Sequence, residues 1–247
     1  MNKFYLLLLL LAFSLAGRGQ VVSIPDANFK SALLSHSPVI NTNGDGEIQV
    51  SEAQAFASML NLGYKNIADY TGLEAFTGIT ELAVNGNPAT SLVVTNKPAI
   101  TRIMSGAGQL TSLTVQGLPL LTHIYGSNNQ LNSLTISNLP ALEYLDLGNN
   151  RFTSLTISGF PRLKDLNCNR NLLTTLSVSN LPLLNQLTCQ LNQLTSPAFS
   201  NLPSLAHLFF DNNPFSNFSI SNLPALQELS CGGSNITSLT LPPLPNL

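Results

Sequence analysis

The chain has 247 residues, of which 44% are hydrophobic and only 9% are charged, against roughly 25% charged residues in an ordinary soluble domain. Ten Lys and Arg residues against 12 Asp and Glu residues give a formal net charge of −2. So few cations form no dense basic face, which excludes nucleic-acid binding through phosphate contacts and attachment to anionic lipid through a polybasic segment.

Residues 1–19 are predicted to be a secretory signal peptide. Lys3 supplies the positive charge, residues 4–16 form a short apolar segment, and Gly17-Arg18-Gly19 place small residues at −3 and −1 of a cleavage site. About 13 apolar residues fall short of the ~20 that a membrane span needs. We therefore expect a secreted or cell-surface protein with no transmembrane segment in the mature chain.

Residues 20–60 are predicted to form a small helical cap. A first short helix is expected within residues 24–34, with Asp26 as its N-cap and with Phe29 and Leu33 on one face. A second short helix is expected over about residues 51–60. We expect the cap to cover the first coil, because the first coil of a repeat array exposes an apolar face to water.

Residues 41–52 have the spacing of a 12-residue calcium loop. The oxygen ligands would be the side chains of Asn41, Asn43 and Asp45, the main-chain carbonyl of Glu47 and the carboxylate of Glu52. Because only two of these ligands are carboxylates and position 1 is Asn instead of the usual Asp, the predicted site is weak, with a dissociation constant of ~0.1–1 mM. The alternative is a loop that joins two helices without a metal; we favour calcium because exported proteins can meet millimolar calcium.

From residue 79 onward the sequence repeats every 21 residues. Eight repeats begin at Ile79, Ile100, Leu121, Leu142, Leu163, Leu184, Leu205 and Leu226, and prolines recur at the same interval from Pro98 to Pro245. A fixed period of 20–29 residues with recurring Leu is typical of a leucine-rich repeat solenoid. We number these repeats coils 1 to 8 and assign the solenoid to residues 61–247.

Apolar residues recur at positions 1, 4, 6, 11, 14 and 16 of the coils. In residues 142–162 these positions are Leu142, Leu145, Leu147, Phe152, Leu155 and Ile157. The period-two spacing places positions 4 and 6 on the inner side of an extended segment, and the second triplet repeats that spacing. We therefore predict a mainly β solenoid with two short extended segments per coil and little or no helix on the convex side.

Two further columns carry polar or reactive side chains into the interior. Position 9 is Asn in six coils, at Asn87, Asn129, Asn150, Asn171, Asn192 and Asn213, and each buried amide is predicted to bond the main chain of its own coil and of the next coil. Position 6 holds Cys168, Cys189 and Cys231. We predict buried thiols instead of a Cys168–Cys189 disulfide, because a free Cys packs as a small hydrophobic residue.

The repeat resembles the bacterial leucine-rich repeat subclass of 21 residues, with the frame LxxLxCxxNxLxxLxLxxxxx. Its frame positions are matched by Leu163, Leu166, Cys168, Asn171, Leu173, Leu176 and Val178. With its helical cap and EF-hand- or dockerin-like loop, the chain resembles internalin-like exported bacterial proteins, which implies binding at or outside the cell surface. Pro197 at position 14, and Gly108 and Ser234 at position 9, depart from the frame and put local regularity in doubt.

The outward positions 2, 3, 5 and 7 of the first extended segment are the candidate binding surface. Aromatic side chains anchor interfaces, and the predicted partner-binding residues are His123, Tyr125, Tyr144, Asp146, His207 and Phe209. The alternative is a solvated face with incidental aromatics. His123 and His207 lie four coils apart, too far to ligate one metal at ~4.8 Å per coil.

We predict a non-enzymatic recognition module that binds a protein or a glycan, because the sequence has no nucleophile elbow, phosphate-binding loop, HExxH or Cys-x-x-Cys motif. The alternative is an accessory domain of a larger exported hydrolase or adhesin whose chemistry lies beyond Leu247. Leu247 is position 1 of a ninth repeat with no capping segment after it, so a truncated C-terminal end is expected.

Overall fold

The structure is a computed structural model that describes residues 19–195, 198–219 and 223–240. Residues 1–18 of the predicted signal peptide, Pro197 and Leu247 lie outside this part of the chain. Helix α1 spans Ala27–Leu34, helix α2 spans Val50–Ala55, and a 3₁₀ helix spans Leu73–Ala75. All other elements described are short β-strands.

The N-terminal cap confirms the first predicted helix and corrects the second. The Asp26 carboxylate accepts a hydrogen bond of 2.9 Å from the Phe29 N–H, and the Phe29 and Leu33 side chains are fully buried. Helix α2 ends at Ala55 instead of continuing to residue 60. Residues Met59–Asn61 form strand β1, because apolar Leu60 and Leu62 alternate with exposed Asn61, which is the period of a strand and not of a helix.

The inner side of the solenoid is a continuous parallel sheet that runs through the whole described array. Its strands in order are β1, β2 (Glu81–Ala83), β4 (Arg102–Met104), β6 (His123–Tyr125), β8 (Tyr144–Asp146), β10 (Asp165–Asn167), β12 (Gln186–Thr188), β14 (His207–Phe209) and β16 (Glu228–Ser230). Each strand pairs with the next in unshifted register, so a given repeat position forms a straight column. We call the solvent side of this sheet the strand face.

The convex side consists of a second strand in every coil. These strands are β3 (Ser91–Thr95), β5 (Ser112–Gln116), β7 (Ser133–Ser137), β9 (Ser154–Ser158), β11 (Thr175–Ser179), β13 (Ala198–Ser200), β15 (Asn217–Ser219) and β17 (Ser238–Thr240). No helix interrupts the described residues of coils 1 to 8. The prediction of a mainly β leucine-rich repeat solenoid with two extended segments per coil is confirmed.

Left-handed residues turn the chain at the corners of the coils, at position 8 in coils 1 to 8 and at position 18 in coils 1 to 6. Position 8 has a positive φ throughout, at Gly86, Ala107, Asn128, Asn149, Arg170, Leu191, Asn212 and Gly233, and position 18 has one at Asn96, Gly117, Asn138, Gly159, Asn180 and Asn201. Gly and Asn tolerate this conformation best. The choice of Asn or Gly at position 18 of coils 1 to 7 was a readable signal for the second corner.

The asparagine column bonds backward along the array. Asn150 donates from Nδ2 to the Leu147 carbonyl of its own coil and to the Gly126 carbonyl of the preceding coil, both at 3.0 Å. Its Oδ1 accepts a bond of 2.9 Å from the Leu131 N–H, also in the preceding coil. The expectation that these amides would reach the next coil was therefore wrong, because the side chain points toward the N-terminal end of the solenoid.

The cysteines are thiols, as predicted. Cys168 and Cys189 are fully buried at position 6 of neighbouring coils, and Cys231 is partly buried. A hydrogen bond with Cys168 and burial both raise the pKa of the Cys189 thiol. Because the thiolate is the reactive form, this thiol is an inert core group.

The convex sheet is interrupted twice. Strands β3, β5 and β7 form one sheet, β9, β11 and β13 a second, and β15 and β17 a third, with no pairing described between β7 and β9 or between β13 and β15. The coil that follows each break has Phe at position 11, at Phe152 and Phe215, where other coils have Ala, Leu or Ile. A buried phenyl ring needs more room than these side chains, and we infer that it displaces the strand that follows it.

The first break opens a cleft of about 490 Å³ between coils 3 and 4. Leu134 and Ile136 of β7 line this cleft and are only partly buried, whereas the corresponding Leu113 and Val115 of β5 are buried. On the inner side of the same two coils, β6 and β8 remain paired. The coils therefore diverge only on the convex side.

We expect Phe152→Leu to close this cleft and to let β7 pair with β9. The test is amide hydrogen exchange over residues 154–158, where new inter-strand bonds should slow exchange by at least about tenfold. Phe160→Leu is the matched control, since it makes the same change at position 19 of the same coil. Unchanged exchange in Phe152→Leu would show that the ring does not cause the break.

Candidate binding surface on the strand face

Three aromatic rings meet at the junction of coils 3 and 4. Strand β6 presents His123 and Tyr125 at positions 3 and 5, and the sheet register places Tyr144 of β8 beside His123. The ring centroids lie 5.8 Å apart for His123 and Tyr125, 5.9 Å for His123 and Tyr144, and 5.1 Å for Tyr125 and Tyr144. We call these three residues the aromatic cluster.

Two carboxylates adjoin the aromatic cluster. The register pairs Tyr125 with Asp146 and Tyr144 with Asp165. Burial and the charge of Asp146 raise the pKa of Asp165, and burial with the charges of both carboxylates raises the pKa of Tyr144 to about 12. Burial and the nearby Arg102 charge lower the pKa of His123. At neutral pH the surface therefore combines neutral rings with negative charge, which suits binding and supplies no activated nucleophile.

The remaining predicted residues form a separate group. His207 and Phe209 of β14 stack with ring centroids 6.4 Å apart, and His207 Nδ1 lies 3.2 Å from a carboxylate oxygen of Glu228. Strand β14 is four strands beyond β6 in the sheet, a distance of roughly 19 Å at the usual strand spacing. The structure thus brings His123, Tyr125, Tyr144 and Asp146 together and places His207 and Phe209 at a second position on the same face.

The predicted calcium loop is ordered by its own side chains. Asn41 Oδ1 accepts the Gly44 N–H at 2.9 Å, Asn43 Oδ1 accepts the Asp45 N–H at 3.0 Å, and Asp45 Oδ1 accepts the Glu47 N–H at 2.9 Å. Each of these oxygens retains a further lone pair for a metal. Across the described ranges, no three His, Cys, Asp or Glu side chains group to hold a metal ion, so this loop depends on its Asn oxygens.

Glu52 already has partners inside the loop. Its carboxylate accepts the Thr42 N–H at 2.7 Å and the Gln49 N–H at 3.0 Å, the second as part of a capping box for helix α2. Burial opposes ionisation of Glu52, but these hydrogen bonds outweigh it and lower its pKa. The Glu47 carboxylate pairs with Lys30 at 2.6 Å, which leaves only its main-chain carbonyl as a ligand. The donor set fits calcium, and bidentate binding by Glu52 would require it to release N–H groups that it now holds.

Lys97 is an important residue that the sequence patterns did not single out. It occupies position 19, which is Leu or Phe in coils 2 to 7, and its side chain is only 1% exposed. Its Nζ donates to the carbonyls of Leu73 at 2.9 Å and Phe76 at 3.1 Å. Burial lowers the pKa of Lys97 to about 8, against the opposing effect of the Glu74 charge. Lys97 therefore joins coil 1 to the segment that precedes it, and a cation in an otherwise apolar column was the available signal.

The sequence family described as "Endo-beta-N-acetylglucosaminidase EndoS LRR domain" matches residues 43–171. This is more than half of the 247 residues. The chain belongs to this leucine-rich repeat family. A search of curated protein sequences gave no match.

Two solved structures similar to this leucine-rich repeat domain come from Listeria monocytogenes and Yersinia enterocolitica. The functional domain of InlJ from Listeria monocytogenes, which includes a cysteine ladder, is 22% identical with a TM-score of 0.54, covering 90% of this chain and 64% of that one. YopM from Yersinia enterocolitica is 23% identical with a TM-score of 0.56, covering 76% and 45% respectively. At this level of identity the similarity shows the fold alone, and the chain spans less than two thirds of either structure.

No helix within the described residues is long and apolar enough to cross a membrane.

Proposed function

We propose that this leucine-rich repeat domain is a non-enzymatic, exported recognition module that binds a protein partner through the strand face. The aromatic cluster with Asp146 is the observation that carries the proposal. Tyr side chains serve as interface anchors because they bury a large ring at low conformational cost and keep a polar tip. The three rings lie against one another at 5.1–5.9 Å, so they present edges more than the free faces on which a sugar ring would stack. We therefore favour a protein over a glycan as the ligand.

We expect Tyr125→Ala together with Tyr144→Ala to weaken partner binding by at least about tenfold, as loss of interface anchors does. A partner is first identified by screening arrays of extracellular proteins and glycans, and its affinity is then measured by surface plasmon resonance. Val93→Ser is the control, because Val93 is 59% exposed on the convex side. Undiminished affinity in the double Tyr variant would remove the aromatic cluster from the binding site.

We also propose that calcium binds the loop at residues 41–52 and stiffens the N-terminal cap. The expected result is saturable calcium binding with a dissociation constant of ~0.1–1 mM, and a higher melting temperature in calcium because a ligand stabilises the state that binds it. Asp45→Asn removes one ligand charge while it keeps the oxygen that accepts the Glu47 N–H, and Glu52→Gln tests the second carboxylate. Equal binding heats in the parent protein and both variants would rule out this site.

A second candidate function is an accessory role in a larger exported hydrolase or adhesin. The family description favours it, since it refers to the leucine-rich repeat domain of an endo-β-N-acetylglucosaminidase. Reading the gene beyond Leu247 separates the two candidates. A continuing frame with a glycosidase domain that cleaves N-glycans supports the accessory role, whereas a stop codon after a short capping segment would remove it.

A further inference from the structure

The strand face carries all of the carboxylates found in coils 1 to 8. Its outward positions 2, 3, 5 and 7 contain Glu81, Glu143, Asp146, Asp165, Asp211 and Glu228. The same positions contain two cations, Arg102 and Lys164, so this face has a net charge of −4 in a chain whose net charge is −2. The other cations of the coils lie at positions 8, 10, 19 and 21, and of these Arg162 at position 21 reaches Glu143 on this face. Charge complementarity therefore selects a basic partner for this face.

Asp146 and Asp165 form the centre of this acidic face. They lie diagonally across β8 and β10, each beside a ring of the aromatic cluster, at Tyr125 and Tyr144 respectively. Asp165 is half-buried on this face. Burial raises the pKa of Asp165, and so does the repulsion between its carboxylate and that of Asp146. A cation placed between them would relieve it.

Two cations of coils 4 and 5 are engaged with Glu143. Lys164 Nζ lies 2.8 Å from one carboxylate oxygen of Glu143, and Arg162 lies 3.4 Å from the other. The polar contacts of Asp146 are made with neutral groups, the Gly148 N–H at 3.0 Å and the Asn167 amide at 2.9 Å. Within the described residues, no Lys or Arg forms an ion pair with Asp146 or Asp165. The charge of this pair is therefore available to a partner.

We propose that an Arg or Lys side chain of the partner protein binds between the aromatic cluster and the carboxylates of Asp146 and Asp165. A guanidinium group fits this site well, because it donates to carboxylates in a planar fork. The inference rests on the proposed function and deepens it by specifying a basic segment as the contacting part of the partner.

A fluorescein-labelled peptide of alternating Arg and Gly-Ser units tests this inference by fluorescence anisotropy, with a citrulline version as the neutral control. We expect Asp146→Asn with Asp165→Asn to weaken peptide binding by about tenfold or more, since charge-assisted bonds are lost. Glu81→Gln with Glu228→Gln removes the same charge from the ends of the strand face and should change the affinity less than about twofold. Melting temperatures verify that both double variants fold.

Three results would overturn the inference: equal binding of the Arg and citrulline peptides, equal losses in the two double variants, or no loss in Asp146→Asn with Asp165→Asn. The Tyr variants above test the proposed function with the partner itself. If the Tyr variants lose the partner while the Asp variants keep the Arg peptide, binding through the strand face stands and only the basic contact fails.

Discussion

Replacing Asn171 by Leu is expected to lower the free energy of unfolding by about 3–5 kcal/mol, because it would leave buried main-chain groups without partners. Asn171 donates to the Leu147 carbonyl at 3.0 Å and to the Cys168 carbonyl at 3.1 Å. It also accepts the Phe152 N–H at 3.1 Å. A Leu side chain has the same number of heavy atoms and the same branching but offers none of these bonds, and it excludes the water that could replace them.

Urea denaturation monitored by circular dichroism measures this loss. Asn185→Leu is the matched control, because Asn185 is exposed at position 2 of coil 6 and a surface substitution usually changes stability by less than about 0.5 kcal/mol. A loss below about 1 kcal/mol in Asn171→Leu would mean that the coils do not need these amides. The result bears on the whole asparagine column, since Asn150 and Asn192 repeat the same contacts.

The second large effect is a rise in stability between about pH 8 and pH 10 that depends on Lys97. Burial lowers the pKa of Lys97 to about 8 from 10.5. In this range the folded protein releases a proton that the unfolded chain retains, so the unfolded state binds more protons and stability increases with pH. The difference between the two pKa values corresponds to about 3 kcal/mol when it is fully developed.

Lys97→Met is expected to abolish this rise, whatever its effect on stability at neutral pH. The Leu73 and Phe76 carbonyls would lose their donor in this variant, so the slope against pH is the informative quantity and not the absolute stability. Above about pH 10 the raised pKa of buried Tyr70 reverses the trend, because the unfolded chain then loses a tyrosine proton that the folded state keeps. Parallel slopes in the two proteins would contradict the assignment to Lys97.

The sequence predicted the features of this molecule that recur in every coil. A 21-residue period fixes which columns face inward, since positions 4 and 6 of an extended segment share a side. The Asp26 cap was also predictable, because N-capping depends on a few adjacent residues. Both depend on chemistry that is local in the sequence.

Features that depend on how neighbouring coils meet were not predictable in the same way. The six candidate binding residues were predicted as one set, but sheet spacing separates His207 and Phe209 from Tyr125 and Tyr144. Asp165 was passed over because its significance arises from Asp146 in the neighbouring strand. The end of helix α2 was misplaced because pairing with β2 fixes Met59–Asn61 as a strand.

The break between β7 and β9 has a consequence for the curvature of the strand face. The inner sheet continues through coils 3 and 4, whereas the convex strands of these two coils, β7 and β9, are not paired with each other. Bending between coils 3 and 4 would change the curvature of the inner sheet where Tyr125 of coil 3 contacts Tyr144 of coil 4. A partner that inserts between these rings therefore meets the one junction of the first four coils whose described convex strands are unpaired, and we expect this junction to bend more readily than the other two.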